Sequence, residues 1–131
     1  MLISEVARRS GVGDKTLRYY EQVGLLRPAR TPSGYREYDE RVFDRLTFIR
    51  SAQALGLSLA EIRGIVTLRA KGEAPCAHVT ELLEARSAAI ARTIRELRTL
   101  QLELRRLIAR AEDFNPSECD PDGICGLINP A

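Results

Sequence analysis

Three cysteines and one histidine are the side chains of this 131-residue chain best suited to hold a soft ion or to be oxidised. Cys76 follows Pro75, and His78 lies two residues further on. Cys119 and Cys125 stand far downstream in a stretch rich in Pro, Gly and Asp. Three thiolates suit a soft divalent ion such as Hg(II), Pb(II) or Cd(II). Zn(II) would want a fourth ligand, for which His78 is the candidate unless it is only a surface residue at a helix start. A position just inside a helix N-terminus favours the thiolate at Cys76, because the positive end of the helix dipole stabilises the anion. The same thiols could instead be oxidised, and a single cysteine is more often a small buried hydrophobe than a ligand. Asp120 and Asp122 would raise local cation density or simply solvate the loop. An odd cysteine count argues against a disulfide framework. With one histidine, no paired catalytic groups and no phosphate-binding glycine motif, the chain is not expected to be an enzyme.

The elements that must position these thiols can be read from periodicity and punctuation. The composition, 44% hydrophobic but only 5% aromatic, favours an aliphatic core of packed helices. Ile3 to Ser10 reads as a helix capped by Ser4 and ended by Gly11. Asp14 caps a second, Lys15 to Gln22, with Leu17 and Tyr20 inward and Gly24 as terminator. Two short helices joined by a Gly-containing turn form a helix-turn-helix. From Leu25 to Tyr38, two short runs with strand potential flank Pro32 and Gly34, which predicts a β-hairpin wing. Arg30, Tyr35 and Arg36 at its tip suit contacts to a duplex backbone. Asp39 caps a third helix to about Leu55, closed by Gly56. Ser58 and Glu61 form a capping box for a fourth, running to about Ala70. Residues 71–75 then mark a boundary.

Beyond that boundary, residues 79–111 contain neither Gly nor Pro, and Leu83, Ile90, Leu97, Leu104 and Ala111 recur every seven residues. Ser87, Ile94, Gln101 and Ile108 form an offset second row. This predicts one long coiled-coil helix of roughly 50 Å. So long an apolar stripe finds no partner helix of its own length in this chain, and a second copy is its expected partner. Net charge is also uneven. Residues 1–50 carry ten basic against seven acidic residues, whereas residues 112–131 carry five acids and no base. An anionic partner at one end and a cationic one at the other fit this, although a merely solvated surface fits it too.

The strings Ile3-Ser4-Glu5-Val6-Ala7, Arg18-Tyr19-Tyr20-Glu21, Gly24-Leu25-Leu26 and Gly34-Tyr35-Arg36-Glu37-Tyr38, followed by Leu55-Gly56-Leu57-Ser58-Leu59, closely resemble the MerR family of bacterial transcription activators. The resemblance runs from residue 2 to about 128. It implies a mainly α fold in three parts: a winged helix-turn-helix over residues 1–72, a dimerisation helix over 73–112 forming an antiparallel coiled coil, and a metal-binding loop over 113–131. It further implies a cytoplasmic homodimer that binds promoter DNA, distorts it when effector is bound, and so lets RNA polymerase open it. No membrane association is expected.

On this basis Lys15, Thr16, Arg18 and Tyr19 would reach the major groove from the second helix, and Tyr35, Arg36 and Tyr38 would hold the flanking backbone. Tyr38 could equally be a wing-packing residue. Leu83, Ile90, Ile94, Leu97, Leu104 and Ile108 would form the dimer seam. The cysteines stand at opposite ends of the long helix, so an antiparallel dimer would place Cys76 of one protomer with Cys119 and Cys125 of the other. In the family, divalent-metal sensors carry a cysteine before the dimerisation helix and a Cys-x-Leu-Ile-like string after it; Cys76 and Cys125-Gly126-Leu127-Ile128 match. The alternatives are a thiol-redox regulator of the same fold and a DNA-bending dimer without an effector.

Overall fold

The computed structural model describes residues 1–128. The chain divides into two compact units, Met1–Arg86 and Ser87–Ala131, and the division falls inside its longest helix.

The first unit holds α1 (Ile3–Ser10), α2 (Asp14–Gln22), a hairpin of β1 (Ala29–Arg30) and β2 (Arg36–Glu37), α3 (Arg41–Ala54), α4 (Leu59–Ala70) and the first turns of α5 (Cys76–Asp113). The wing is an antiparallel pair in which Ala29 faces Glu37 and Arg30 faces Arg36. Its turn is closed by Thr31, whose carbonyl accepts from the Gly34 N–H and whose Oγ1 accepts from the Tyr35 N–H. Apolar side chains spaced along each helix meet in one aliphatic core: Val6, Leu17, Leu25, Ile49 and Ile62 are its most deeply buried members, with Leu46, Ala52, Ile65 and Val66 around them. Gly11, Gly24 and Gly56 take positive φ where helices end, a conformation that side chains bearing a Cβ disfavour.

Three helix starts differ from the sequence expectation. Leu2, not Ser4, occupies the N-cap of α1. The Met1 carbonyl accepts from the Tyr38 N–H while the Met1 amino group donates to the Tyr38 carbonyl, which fixes the chain beside the wing and starts the helix early. Asp14 lies within α2 behind Gly13, and its carboxylate accepts from Arg18 Nε at 3.0 Å instead of capping the backbone. Glu40 is the N-cap of α3, although Asp39 Oδ1 still accepts from the Arg41 N–H. Only the α4 start is a true capping box: Ser58 Oγ accepts from the Glu61 N–H at 3.1 Å, and Glu61 Oε1 accepts from the Ser58 N–H at 2.9 Å.

The Ser58 backbone N–H is the main cause of a Glu61 carboxyl held below the usual carboxylate range, with the Ser58 side chain and the charges of Arg86 and His78 adding to it. A depressed carboxyl stabilises the fold above its ordinary pKa, and that contribution fades as pH falls through the lowered value. Ser58→Ala is expected to lower unfolding stability by about 1 kcal/mol in urea titration at neutral pH, through loss of one helix cap.

The start of α5 docks on this core. Val79 and Leu82 pack against it. The Arg86 guanidinium lies over Gly56, and His78 Nε2 faces Gly64 on α4 closely enough that a Cβ there would stand 3.7 Å away.

In the second unit the rest of α5 buries none of its side chains. Leu97 and Ile108 are 59% and 64% exposed. A turn of 3-10 helix (Pro116–Glu118) follows, capped by Asn115 Oδ1 on the Ser117 N–H. A tight turn at Asp120–Gly123 leads on to Cys125.

Candidate nucleic-acid interface and metal-ligating thiols

Helix α2 has two chemically distinct faces. Leu17 is fully buried and Tyr20 nearly so, whereas Lys15, Thr16, Arg18 and Tyr19 face solvent. The residues expected at a major groove therefore share one exposed surface, opposite the core contacts that hold the helix. Arg18 is tethered to Asp14 at its base but remains more than half exposed.

The wing extends this surface only in part. Tyr35 is 64% exposed at the hairpin tip, and Arg30 donates to the Gly34 carbonyl across the turn. Tyr38, by contrast, is 6% exposed, and its hydroxyl donates to Glu21. Of its two sequence readings, the wing-packing one describes its position, and it is withdrawn as a direct DNA contact. Arg36 is half-buried and donates through Nε to the other oxygen of the same carboxylate.

Glu21 is therefore a strap that the sequence reading missed: one nearly buried acid on α2 ties both Arg36 and Tyr38 of the wing to the helix-turn-helix. The two strings that carry it, Arg18-Tyr19-Tyr20-Glu21 and Gly34-Tyr35-Arg36-Glu37-Tyr38, are visible in sequence, but nothing there says that they meet. Glu21→Ala would leave the Tyr38 hydroxyl and the Arg36 guanidinium without this acceptor. A stability loss of about 1–3 kcal/mol is expected, with Glu21→Gln recovering part of it. Thermal melts of the three proteins check the order.

All three cysteines are free thiols, Cys76 exposed and Cys119 and Cys125 half-buried. Cys76 is the first residue of α5, and the Pro75 carbonyl accepts the Val79 N–H that closes the first helical turn. In the second unit, the turn between Cys119 and Cys125 folds Cys119 back toward Gly126, where an added Cβ would lie 3.6 Å from Cys119 Sγ and 3.0 Å from the Phe114 ring. Phe114, Cys119 and Gly126 thus pack together, and a side chain at position 126 would press on the Phe114 ring. The Ile128 and Leu127 backbone N–H groups point at the Cys125 sulfur and hold its thiol below the ordinary range, against a smaller opposing effect of burial. Such a thiol ionises more readily, as a metal ligand or a redox centre requires.

Among the described residues, no three of the His, Cys, Asp and Glu side chains converge as a metal site within one chain. His78 points at α4 through Nε2. Nor is any described helix long and apolar enough to cross a membrane.

The chain is similar to known proteins. Residues 1–68 match the model of the MerR HTH family regulatory proteins, and residues 43–107 match the MerR DNA-binding model. A regulator named HmrR from Rhizobium leguminosarum bv. viciae is 34% identical over 91% of this chain and 92% of its own length. The mercuric resistance operon regulatory protein of Bacillus cereus is 36% identical over 89% and 90%. Among solved structures, a transcription regulator from Ralstonia metallidurans in complex with lead(II) is 36% identical, covers 98% of this chain and 97% of its own, and superposes with a TM-score of 0.76.

Proposed function

This chain belongs to the MerR family of helix-turn-helix transcriptional regulators, and from that membership we propose that it activates a promoter as a homodimer in response to a soft divalent metal. The observation that carries the metal reading is the distribution of the thiols. Cys76 opens α5, whereas Cys119 and Cys125 follow its end, and no metal-ligating group of three forms within one chain among the described residues. Two antiparallel copies would complete the set twice, with Cys76 from one and Cys119 and Cys125 from the other. The relatives named for mercury resistance and crystallised with lead support a soft effector, and Hg(II), Pb(II), Cd(II) and Zn(II) all fall within the proposal.

The donor set fits such an ion. It offers three free thiols, and backbone N–H groups hold that of Cys125 below its ordinary range, which favours the thiolate that a soft ion takes. Cys76 of one copy and Cys119 and Cys125 of the other would hold the ion, which would supply metal–sulfur bonding. The chain's own residues do the rest. Lys15, Thr16, Arg18 and Tyr19 contact the operator from the exposed face of α2, Tyr35 and Arg36 hold the flanking backbone, and Glu21 fixes the wing. The docked start of α5, through Val79, Leu82 and Arg86, joins the thiol site to the DNA-binding core. A change at Cys76 then reaches α2 through packed helices, and the bound duplex is distorted so that RNA polymerase can open it.

Titrating the reduced protein with each of the four metals under chelator buffering, with transcription from its promoter as the readout, tests the proposal. Activation by at least one metal at constant operator occupancy is the expected result. Indifference to all four would overturn it, and activation by oxidant alone would select the thiol-redox alternative.

A further inference from the structure

The first unit holds an open cleft of about 580 Å³ between the base of the wing, the first turns of α3 and the last turns of α4. That volume falls in the range of small-molecule sites, about 300–1,000 Å³. None of the cysteines lines it, nor does any of Lys15, Thr16, Arg18 and Tyr19. Its apolar lining comes from the buried Leu26, Val42 and Val66, with Ala70 exposed at an edge. The rest of the lining is charged. Asp39 and Arg41 neutralise each other, since Asp39 Oδ2 accepts from Arg41 Nη2 at 2.9 Å. Arg27 and Arg45 then stand against Glu37 alone, two bases to one acid. Among the described residues, none of these three forms an ion pair.

Arg45 decides what such a cleft can take. Its side chain is half-buried, and Nη1 donates to the Leu25 carbonyl at 3.1 Å, which anchors the guanidinium. Among the described residues it makes no other hydrogen bond, so Nε and Nη2 keep their N–H groups for an acceptor. Those two nitrogens share one edge of the planar group and form the fork that a carboxylate accepts with two parallel bonds. A ligand with one carboxylate and an apolar body matches both halves of the cleft, its charge at Arg45 and Arg27 and its body on Leu26, Val42 and Val66. A neutral ligand would leave the fork unmatched. A dianion would set its second charge on apolar side chains or against Glu37.

We propose that this cleft is a second effector site, for a small organic monocarboxylate with an apolar body, and that its occupancy raises operator affinity. The sign follows from the walls. Glu37 and Tyr38 belong to the wing, Val42 and Arg45 to α3, and Val66 to α4, so one ligand touches all three elements. It would brace the wing in the position that Glu21 sets, and less freedom would be lost when the wing meets the duplex. Because the site uses no cysteine, it stands whether or not the thiols hold a metal.

Titration of the full, reduced, metal-free protein with naphthalene-2-carboxylate, followed by backbone amide shifts and calorimetry, tests this. Saturable binding with a dissociation constant below about 1 mM is expected, with shifts at Val42, Val66 and Ala70. Naphthalene-2-carboxamide, of the same shape but uncharged, should bind about ten-fold more weakly. Arg45→Lys, which keeps the charge and loses the fork, should weaken the carboxylate about ten-fold. Because Arg45 also holds the Leu25 carbonyl, Ala70→Trp serves as a second variant, which fills the cleft from an exposed position and should weaken binding as much. Saturating probe should raise operator affinity about three-fold, and operator DNA should raise probe affinity by the same factor. Absence of saturation, equal binding of the carboxamide, indifference to both variants, or shifts confined to α5 and the loop after it would overturn the site. Binding in the cleft without a change in operator affinity would overturn its role as an effector site.

Discussion

Cys76→Ser is expected to abolish the transcriptional response to a soft divalent metal while leaving operator binding within about two-fold. Cys76 is an exposed first residue of α5, where serine is well accepted, so the change should move stability by no more than about 0.5 kcal/mol. The Thr80 hydroxyl, which donates to the Cys76 backbone carbonyl, keeps its partner. What is lost is one thiolate in three. Outer partners of metal ligands already matter about 10–100-fold in affinity, so loss of a direct ligand should exceed about 100-fold. The check is a chelator competition titration beside operator binding measured on the same preparation. A Cys76→Ser protein that keeps both its metal affinity and its response would sink the shared site. Loss of operator binding with the response would mean that Cys76 supports the fold instead.

Much of the fold could be read from the residues, because the signals that specify it are local. The glycines after α1, α2 and α3, the Ser58 and Glu61 capping box and the Pro and Gly punctuation of the wing all report on neighbours a few residues away, and each element formed where they indicated. The displaced caps of α1 and α2 show where such signals compete. Ser4 and Asp14 have the right chemistry, but Met1 is held by the distant Tyr38, and Asp14 is drawn to Arg18 one turn on in its own helix. Competition of this kind cannot be weighed from sequence, because both outcomes use the same side chain.

The candidate site divides along the same line. The cysteines could be picked out by type, and the exposed face of α2 by its period. Glu21 could not, since its role depends on a long-range meeting of α2 with the wing. Gly126 was equally silent. It is explained only by what approaches it, the Phe114 ring.

Helix α2 offers the sharpest contrast, because Leu17 and Tyr19 lie two residues apart on opposite faces. Leu17 is fully buried in the aliphatic core of the first unit, whereas Tyr19 is 49% exposed. Leu17→Ala removes a buried branched side chain from a close-packed core and should reduce unfolding stability by about 3 kcal/mol, transfer and cavity terms together. In a unit of this size that corresponds to a fall in Tm of roughly 10–20 °C. Operator binding would fall only as far as the folded fraction does. Tyr19→Ala should do the reverse, with a stability change within about 0.5 kcal/mol and a loss of about 1–2 kcal/mol in operator affinity from one contact at the groove. Calorimetry and DNA titration of both variants at one salt concentration separate the two roles. The assignment of this face to DNA fails if Tyr19→Ala, together with Lys15→Ala, leaves operator affinity unchanged. In that case the core would still require Leu17, and a different surface of the first unit would have to meet the duplex.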